Sequence, residues 1–135
     1  MTLALDTNVL IDLMHGKRRQ VEERFIEAVL TSEPMVASVI VQHELEFGVL
    51  ASRDPIRAAG VFADVTRHVV FEPLSREDVS MAARVRVALR RSGTPIGAYD
   101  VLIAGQALTR GWTLVTGNTR EFSRIDGLVL RDWSA

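Results

Sequence analysis

Five short apolar runs are spaced along the chain, with helix-period stretches between them. They are Leu3-Ala4-Leu5, Met35–Ala37, Val69-Val70-Phe71, Trp112–Val115 and Leu128–Leu130. Runs this short and this uniformly apolar suit strands buried on both faces, not strands with one wet face. Strands of that kind alternating with helices build an α/β fold: a central, mostly parallel β-sheet with helices on both faces. At 135 residues, with no repeat or linker, the chain reads as a single domain over 1–135. In such sheets ligands bind beyond the carboxyl ends of the strands, so those ends are where a site is expected.

The helical stretches have recognisable limits. The first follows Asp6 and runs to about His15, where Gly16 breaks it. Val21, Phe25, Ile26, Val29 and Leu30 repeat at helical spacing between Lys17 and Thr31. Ser38 caps a helix to about Ser52, and another covers Pro55–Thr66. Ser75-Arg76-Glu77-Asp78 has the form of a capping box and opens a helix to Arg91. Gly97–Arg110 is the last. No run is long enough to cross a membrane and no signal peptide is evident, which predicts a soluble, cytoplasmic protein.

Three carboxylates stand where a plain fold would not put them. Asp6 follows the first strand directly, at the end where sites form; it is also a good helix N-cap. On a wheel of about 100° per residue with Ile40 at zero, Val41 falls at about 100°, Leu45 at about 140° and Phe47 at about 340°. Glu44 lands at about 40°, inside that apolar arc, whereas Glu46 lands at about 240° with the polar residues. A carboxylate on the core side is costly unless it is paired or binds a metal. Asp100 opens a helix that is apolar on nearly every side, so that helix should be buried. It stacks over Ala104 and Ala107, small residues that leave room for a ligand or for another backbone. Its place in the first turn also suits a helix-dipole role.

A fourth element, Val115-Thr116-Gly117-Asn118-Thr119-Arg120-Glu121-Phe122, follows a strand and reads as a turn at the same sheet edge. Asn118 offers an amide oxygen and Thr116 a hydroxyl; Glu121 can point inward or to solvent. Together these residues suggest one acidic pocket, in which like charges repel unless a cation joins them. The chain has no Cys, which excludes a thiolate zinc site, a disulfide framework and a thiol nucleophile. The three His share no evident site. Oxygen ligands alone favour a hard ion, Mg²⁺ or Mn²⁺, whose characteristic use in such a site is phosphodiester hydrolysis.

Leu5-Asp6-Thr7-Asn8, Glu44-Leu45 followed by Gly48, Pro95–Asp100 with Ala104-Gly105, and Val115–Phe122 resemble the motifs of the PIN-domain ribonucleases. More closely they resemble VapC-type toxins of bacterial toxin–antitoxin modules. The resemblance covers nearly the whole chain, including Ala88–Gly93, Gly127-Leu128 and Asp132-Trp133. It implies a PIN-like domain and a metal-dependent endoribonuclease toxin that arrests translation. Asp6, Glu44 and Asp100 match the family's acidic metal-site residues, with Asn118 completing the catalytic set. Thr7, Thr116 and Glu121 are secondary candidates. Many PIN domains carry a fourth acid where this chain, like many VapC-type toxins, has Asn118; Glu121 is the residue available to compensate. The resemblance further implies a homodimer, a VapB-type antitoxin that blocks the site within a larger toxin–antitoxin complex, and an RNA substrate. By analogy with enteric relatives that substrate is tRNA, including initiator tRNA.

A net charge of −1 gives no bulk attraction to RNA. The basic residues are 15 Arg and one Lys, however, and they are unevenly spread. Arg84, Arg86, Arg90 and Arg91 fall together with no acid among them, and Arg110, Arg120 and Arg124 come from the neighbourhood of the acidic turn. Arg86, Arg90, Arg91 and Arg120 are the candidate RNA contacts, because guanidinium pairs bidentately with phosphate. Two other classes fail on single residues. A receiver-type signalling module needs a Lys after a late strand, and the only Lys is Lys17. An aspartyl-nucleophile phosphatase needs Asp two residues after the first, and position 8 is Asn. A catalytically inactive PIN-fold binding protein is the remaining alternative.

Overall fold

The computed structural model describes residues 1–135. Its elements run β1 (Leu3–Leu5), α1 (Thr7–His15), α2 (Arg19–Leu30), β2 (Met35–Ser38), α3 (Val39–Leu50), α4 (Pro55–Thr66), β3 (Val70–Glu72), α5 (Arg76–Arg91), α6 (Ala98–Arg110), β4 (Thr113–Val115), α7 (Thr119–Phe122) and β5 (Val129–Arg131). The five strands form one sheet in the order β3-β2-β1-β4-β5, parallel at every pairing. Ala4 lies opposite both Val36 and Leu114, so β1 is central and fully covered. Its residues are all buried, as the uniformly apolar run requires. From β1 the chain steps outward to β2 and β3 on one side, then crosses back to β4 and β5 on the other. The order reverses between β1 and β4, and the cleft of a doubly wound sheet opens at that point.

Local chemistry sets the helix ends. Gly16 closes α1 at φ 63°, a left-handed conformation that glycine adopts without penalty. The capping box of α5 forms: the Ser75 N–H donates to Asp78 Oδ2 at 2.8 Å, and the Asp78 N–H donates to Ser75 Oγ at 3.1 Å. Helices α5 and α6 pack as an antiparallel pair. A Cβ on Gly105 would lie 2.6 Å from the Ala82 backbone nitrogen, so only glycine permits this approach. The small residues of α6 therefore make room for another backbone rather than a ligand: Ala104 and Ala107 lie in the core. Strand boundaries shift by one residue from those read in the sequence for β2, β3, β4 and β5. Within the expected turn after β4, residues Thr119–Phe122 make one helical turn. No helix is long and apolar enough to cross a membrane.

Candidate active site

The site lies at the carboxyl ends of β1 and β4, where the sheet order reverses. The Asp6 N–H donates to the Val115 carbonyl at 2.9 Å, a last rung that fixes Asp6 against β4. The Asp6 side chain, 4% exposed, is clamped on both oxygens. Oδ1 accepts from the Thr7 N–H at 2.8 Å, so Asp6 also serves as the N-cap of α1. Oδ2 accepts from the Thr116 hydroxyl at 2.8 Å and from the Asn8 amide at 3.1 Å. Asn8 bridges the two strand ends: its amide also reaches Thr116 Oγ1 at 3.3 Å, and its carbonyl oxygen accepts from the Gly117 N–H at 3.1 Å. In the sequence Asn8 stands as part of the Leu5–Asn8 motif and as the residue that excludes an aspartyl nucleophile, with no site role of its own. Its position two residues beyond Asp6, on the first turn of α1, was the available signal for this role.

Glu44 is brought to Asp6 from α3. Thr7 Oγ1 donates to Glu44 Oε1 at 2.7 Å, so adjacent residues of one chain segment hold Asp6 and Glu44. The wheel placed Glu44 correctly off the polar face but drew the apolar arc too wide. Val41, Leu45 and Val49 are the buried residues of α3, while Phe47 is 68% exposed. The core covers only the i, i+4, i+8 row, and Glu44 sits at its margin, half-buried.

Asp100 enters from the first turn of α6, and Glu121 from α7. Asn118 donates its amide to Glu121 Oε2 at 3.0 Å, which turns Glu121 inward, and the Asn118 N–H donates to Thr116 Oγ1 at 3.0 Å. Burial, then the negative charges of Asp6, Glu121 and Glu44, push the Asp100 carboxyl up to about 6. The favourable field of the helix N-terminus does not outweigh these. Burial also raises Asp6, against hydrogen bonds from Thr116, Thr7 and Asn8 that favour its charged form, and Glu44 adds to the rise.

Thus Asp6, Thr7, Glu44, Asp100, Thr116, Asn118 and Glu121 share one neighbourhood. The donors are carboxylate, amide and hydroxyl oxygens, the chemistry of a hard divalent ion. No three of the acidic side chains close into a finished cage. Asp6, Glu44 and Asp100 therefore do not form a ready three-carboxylate site in this arrangement, and all three would have to draw closer around an ion. His43 stands apart, edge-on to Tyr99 with ring centroids 5.8 Å apart.

The candidate RNA contacts divide. Arg86 and Arg90 line a hollow of about 270 Å³ with Pro95, Ile96 and Val101, next in sequence to Asp100. Arg91 ends α5 on the same side, exposed, and Arg120 is exposed on α7. Arg110 does not belong to this rim. It sits at the far end of α6, where its terminal nitrogen bonds Asp78 Oδ2 at 2.8 Å and its guanidinium stacks over Trp112 at 5.3 Å. An α6 of 13 residues spans about 20 Å, so sequence proximity to the acidic turn misled here.

The PIN domain family model matches residues 3–128. The chain is 36% identical over 129 residues to the tRNA(fMet)-specific endonuclease VapC of Salmonella typhimurium, covering 96% of each chain. It is 30% identical over 134 residues to Ribonuclease VapC1 of Haemophilus influenzae strain R2866, covering 99% of each. Among solved structures, the DNA-bound VapBC of Salmonella typhimurium superposes with a TM-score of 0.89 at 35% identity, covering 98% of each chain. VapBC2 of Rickettsia felis, bound to a DNA fragment from its promoter, superposes with a TM-score of 0.91 at 27% identity over 98% of this chain and 99% of that one.

Proposed function

The chain belongs to the PIN-domain family, and we propose from that membership and from its site that it is a VapC-type toxin, an endoribonuclease dependent on Mg²⁺ or Mn²⁺. One observation carries the reading: Asp6 at the end of β1, Glu44 of α3 and Glu121 of α7 lie near enough to Asp100 of α6 to raise its carboxyl, Thr7 links Asp6 to Glu44, and no basic side chain pairs with any of the four. Residues that converge from four elements and repel one another are not a structural network. Asp6, Glu44 and Asp100 would hold the ion, which would supply Lewis-acid chemistry at the phosphate and a water of lowered pKa.

The remaining residues hold these three in place. Thr116 and Asn8 fix Asp6 Oδ2, so that its orientation does not depend on the ligand. Thr7 anchors Oε1 of Glu44 and leaves Oε2 without a protein partner. Asn118 restrains Glu121, the fourth negative charge around Asp100. Arg86, Arg90, Arg91 and Arg120 supply the local positive rim that the net charge lacks. The substrate is RNA, and tRNA, initiator tRNA included, is the first to test, since relatives are named for tRNA(fMet). The protein acts in the cytoplasm as a homodimer. A VapB-type antitoxin neutralises it by placing a cationic side chain in the acidic site, within a larger complex of both proteins. The inactive-binding alternative is not favoured, since the relatives are named as an endonuclease and a ribonuclease.

The test is cleavage of bulk tRNA by the purified protein. Mg²⁺ or Mn²⁺ should support cutting and EDTA should abolish it. Asp6→Asn or Asp100→Asn should slow it by more than about a hundredfold, beyond what loss of a merely supporting residue costs. Full activity in EDTA, or in Asp100→Asn at normal stability, contradicts the reading.

A further inference from the structure

A second cleft opens beside the acidic site and shares no lining residue with the hollow of Arg86 and Arg90. It has a volume of about 350 Å³ and is lined by Asn8, Asp12, Arg18, Asn118, Asp132 and Trp133, among others. Two of these residues belong to the site already described: Asn8 clamps Asp6, and Asn118 restrains Glu121. Asp6, Glu44 and Asp100 do not line the cleft, but through Asn8 and Asn118 it borders the acidic site. Arg18 is the only cation in its lining. Its Nε lies 3.2 Å from Asp12 Oδ2 in an ion pair, and neither terminal nitrogen has a partner within the protein. Trp133, 4% exposed, closes the back, so the cleft has a rigid wall.

We propose that this cleft takes one nucleotide of the RNA strand next to the cleaved bond, with its phosphate on the terminal nitrogens of Arg18. This rests on the ribonuclease reading above. A strand crossing the acidic cluster carries a negative charge on each linkage, and the carboxylates repel every phosphate that no cation neutralises. Arg86 and Arg90 supply one hollow near the site, and this cleft offers Arg18. The Arg18 guanidinium, ion-paired to Asp12 through Nε, keeps its two terminal nitrogens available, and such a pair of nitrogens can bind phosphate bidentately. The volume falls within the range of small-ligand pockets and admits a base with its sugar. Arg18 is thus a substrate-positioning residue, acting on the register of the strand and not on the reacting atoms.

The test uses the intact protein and short single-stranded oligoribonucleotides that it cuts, each carrying one uncharged methylphosphonate, moved one linkage at a time from the cleaved bond. Arg18→Ala should raise KM about tenfold with kcat within twofold. It should also flatten the salt dependence of log affinity by about 0.7, the share of one phosphate on a single strand. At one flanking linkage the methylphosphonate should raise KM in the wild type and add nothing in Arg18→Ala. Arg18→Lys should recover part of the loss. Arg19→Ala is the control: Arg19 is exposed, pairs with Glu23 at 2.9 Å and does not line the cleft, so it should leave KM unchanged. Arg18 is largely exposed, and the melting temperature should not move. If Arg18→Ala matches the wild type, or its loss adds equally at every linkage, the subsite is overturned while the ribonuclease reading stands. If the wild type cuts no RNA in Mg²⁺, both fall.

Discussion

Helix α6 carries an acid-lined cluster at each end, and the two are built to opposite rules. At its C-terminal end Asp78, fully buried, meets Arg110 at 2.8 Å and also accepts the Ser75 N–H at 2.8 Å. Burial alone would raise that carboxyl, but the bonds from Arg110 and Ser75 win, and it titrates below the usual carboxylate range. At the N-terminal end Asp100 is buried less, yet it sits among Asp6, Glu121 and Glu44 and is pushed up to about 6. The same residue type on one helix pair is thus satisfied at one end and left in conflict at the other. A completed pair ties α5 to α6. An uncompensated cluster has no structural use, and such strain is held where a ligand relieves it.

That contrast can be broken at its stable end first. Arg110→Ala leaves Asp78 buried without its cation, which should destabilise the fold by about 3 kcal/mol in chemical denaturation. If the loss is below about 1 kcal/mol, Asp78 is not the paired charge described here. At the strained end, the wild type should gain about 2.7 kcal/mol when Mg²⁺ reaches a hundredfold excess over its dissociation constant, read as a melting shift. Arg110→Ala should keep that gain in full, because the two clusters lie at opposite ends of α6. Between them, Gly105→Ala drives a methyl into the Ala82 backbone and should cost about 2 kcal/mol. Both ends should then loosen together.

The pH dependence separates the ends by sign. The folded-state Asp100 carboxyl is raised, so the metal-free protein binds more protons folded than unfolded. Its contribution favours the fold below the ordinary carboxylate value and is lost as pH rises through about 6. Asp78 is lowered, so its contribution is present above the ordinary value and is lost as pH falls. In EDTA, Asp100→Asn should flatten the stability profile between about pH 4 and 6 and leave the acid limb unchanged. A profile unchanged between those pH values would remove Asp100 from the conflict.

How much of this the sequence carried follows from physical range. The central strands β1, β2 and β4 were legible because burial on both faces imposes uniform apolarity over three or four residues. The edge strands β3 and β5 are partly exposed, with Val70 59% and Val129 58% exposed, because each has a neighbour on one side only. The capping box of α5 was legible because Ser75 and Asp78 make both of its bonds within four residues. Asp6 and Asp100 stood out as acids at strand and helix ends. Long-range partners did not announce themselves. Nothing local told that Arg110 would reach back 32 residues to Asp78 instead of joining the RNA-facing rim. The small row of α6 gave room, but only the packed structure shows that Ala82 fills it. The role of Asn8 depends on Gly117 and Thr116, more than 100 residues away.

The central claim is that Asp6, Glu44 and Asp100 are held together against their repulsion for a divalent cation. Thermal melts of the wild type and Asp100→Asn, in EDTA and again in Mg²⁺, test it by sign. Replacing one carboxylate by an amide keeps the shape and removes a charge. In EDTA the variant should melt above the wild type, and in Mg²⁺ the wild type should rise clearly more than the variant. A variant that melts below the wild type in EDTA would make Asp100 a structural cap and contradict the account.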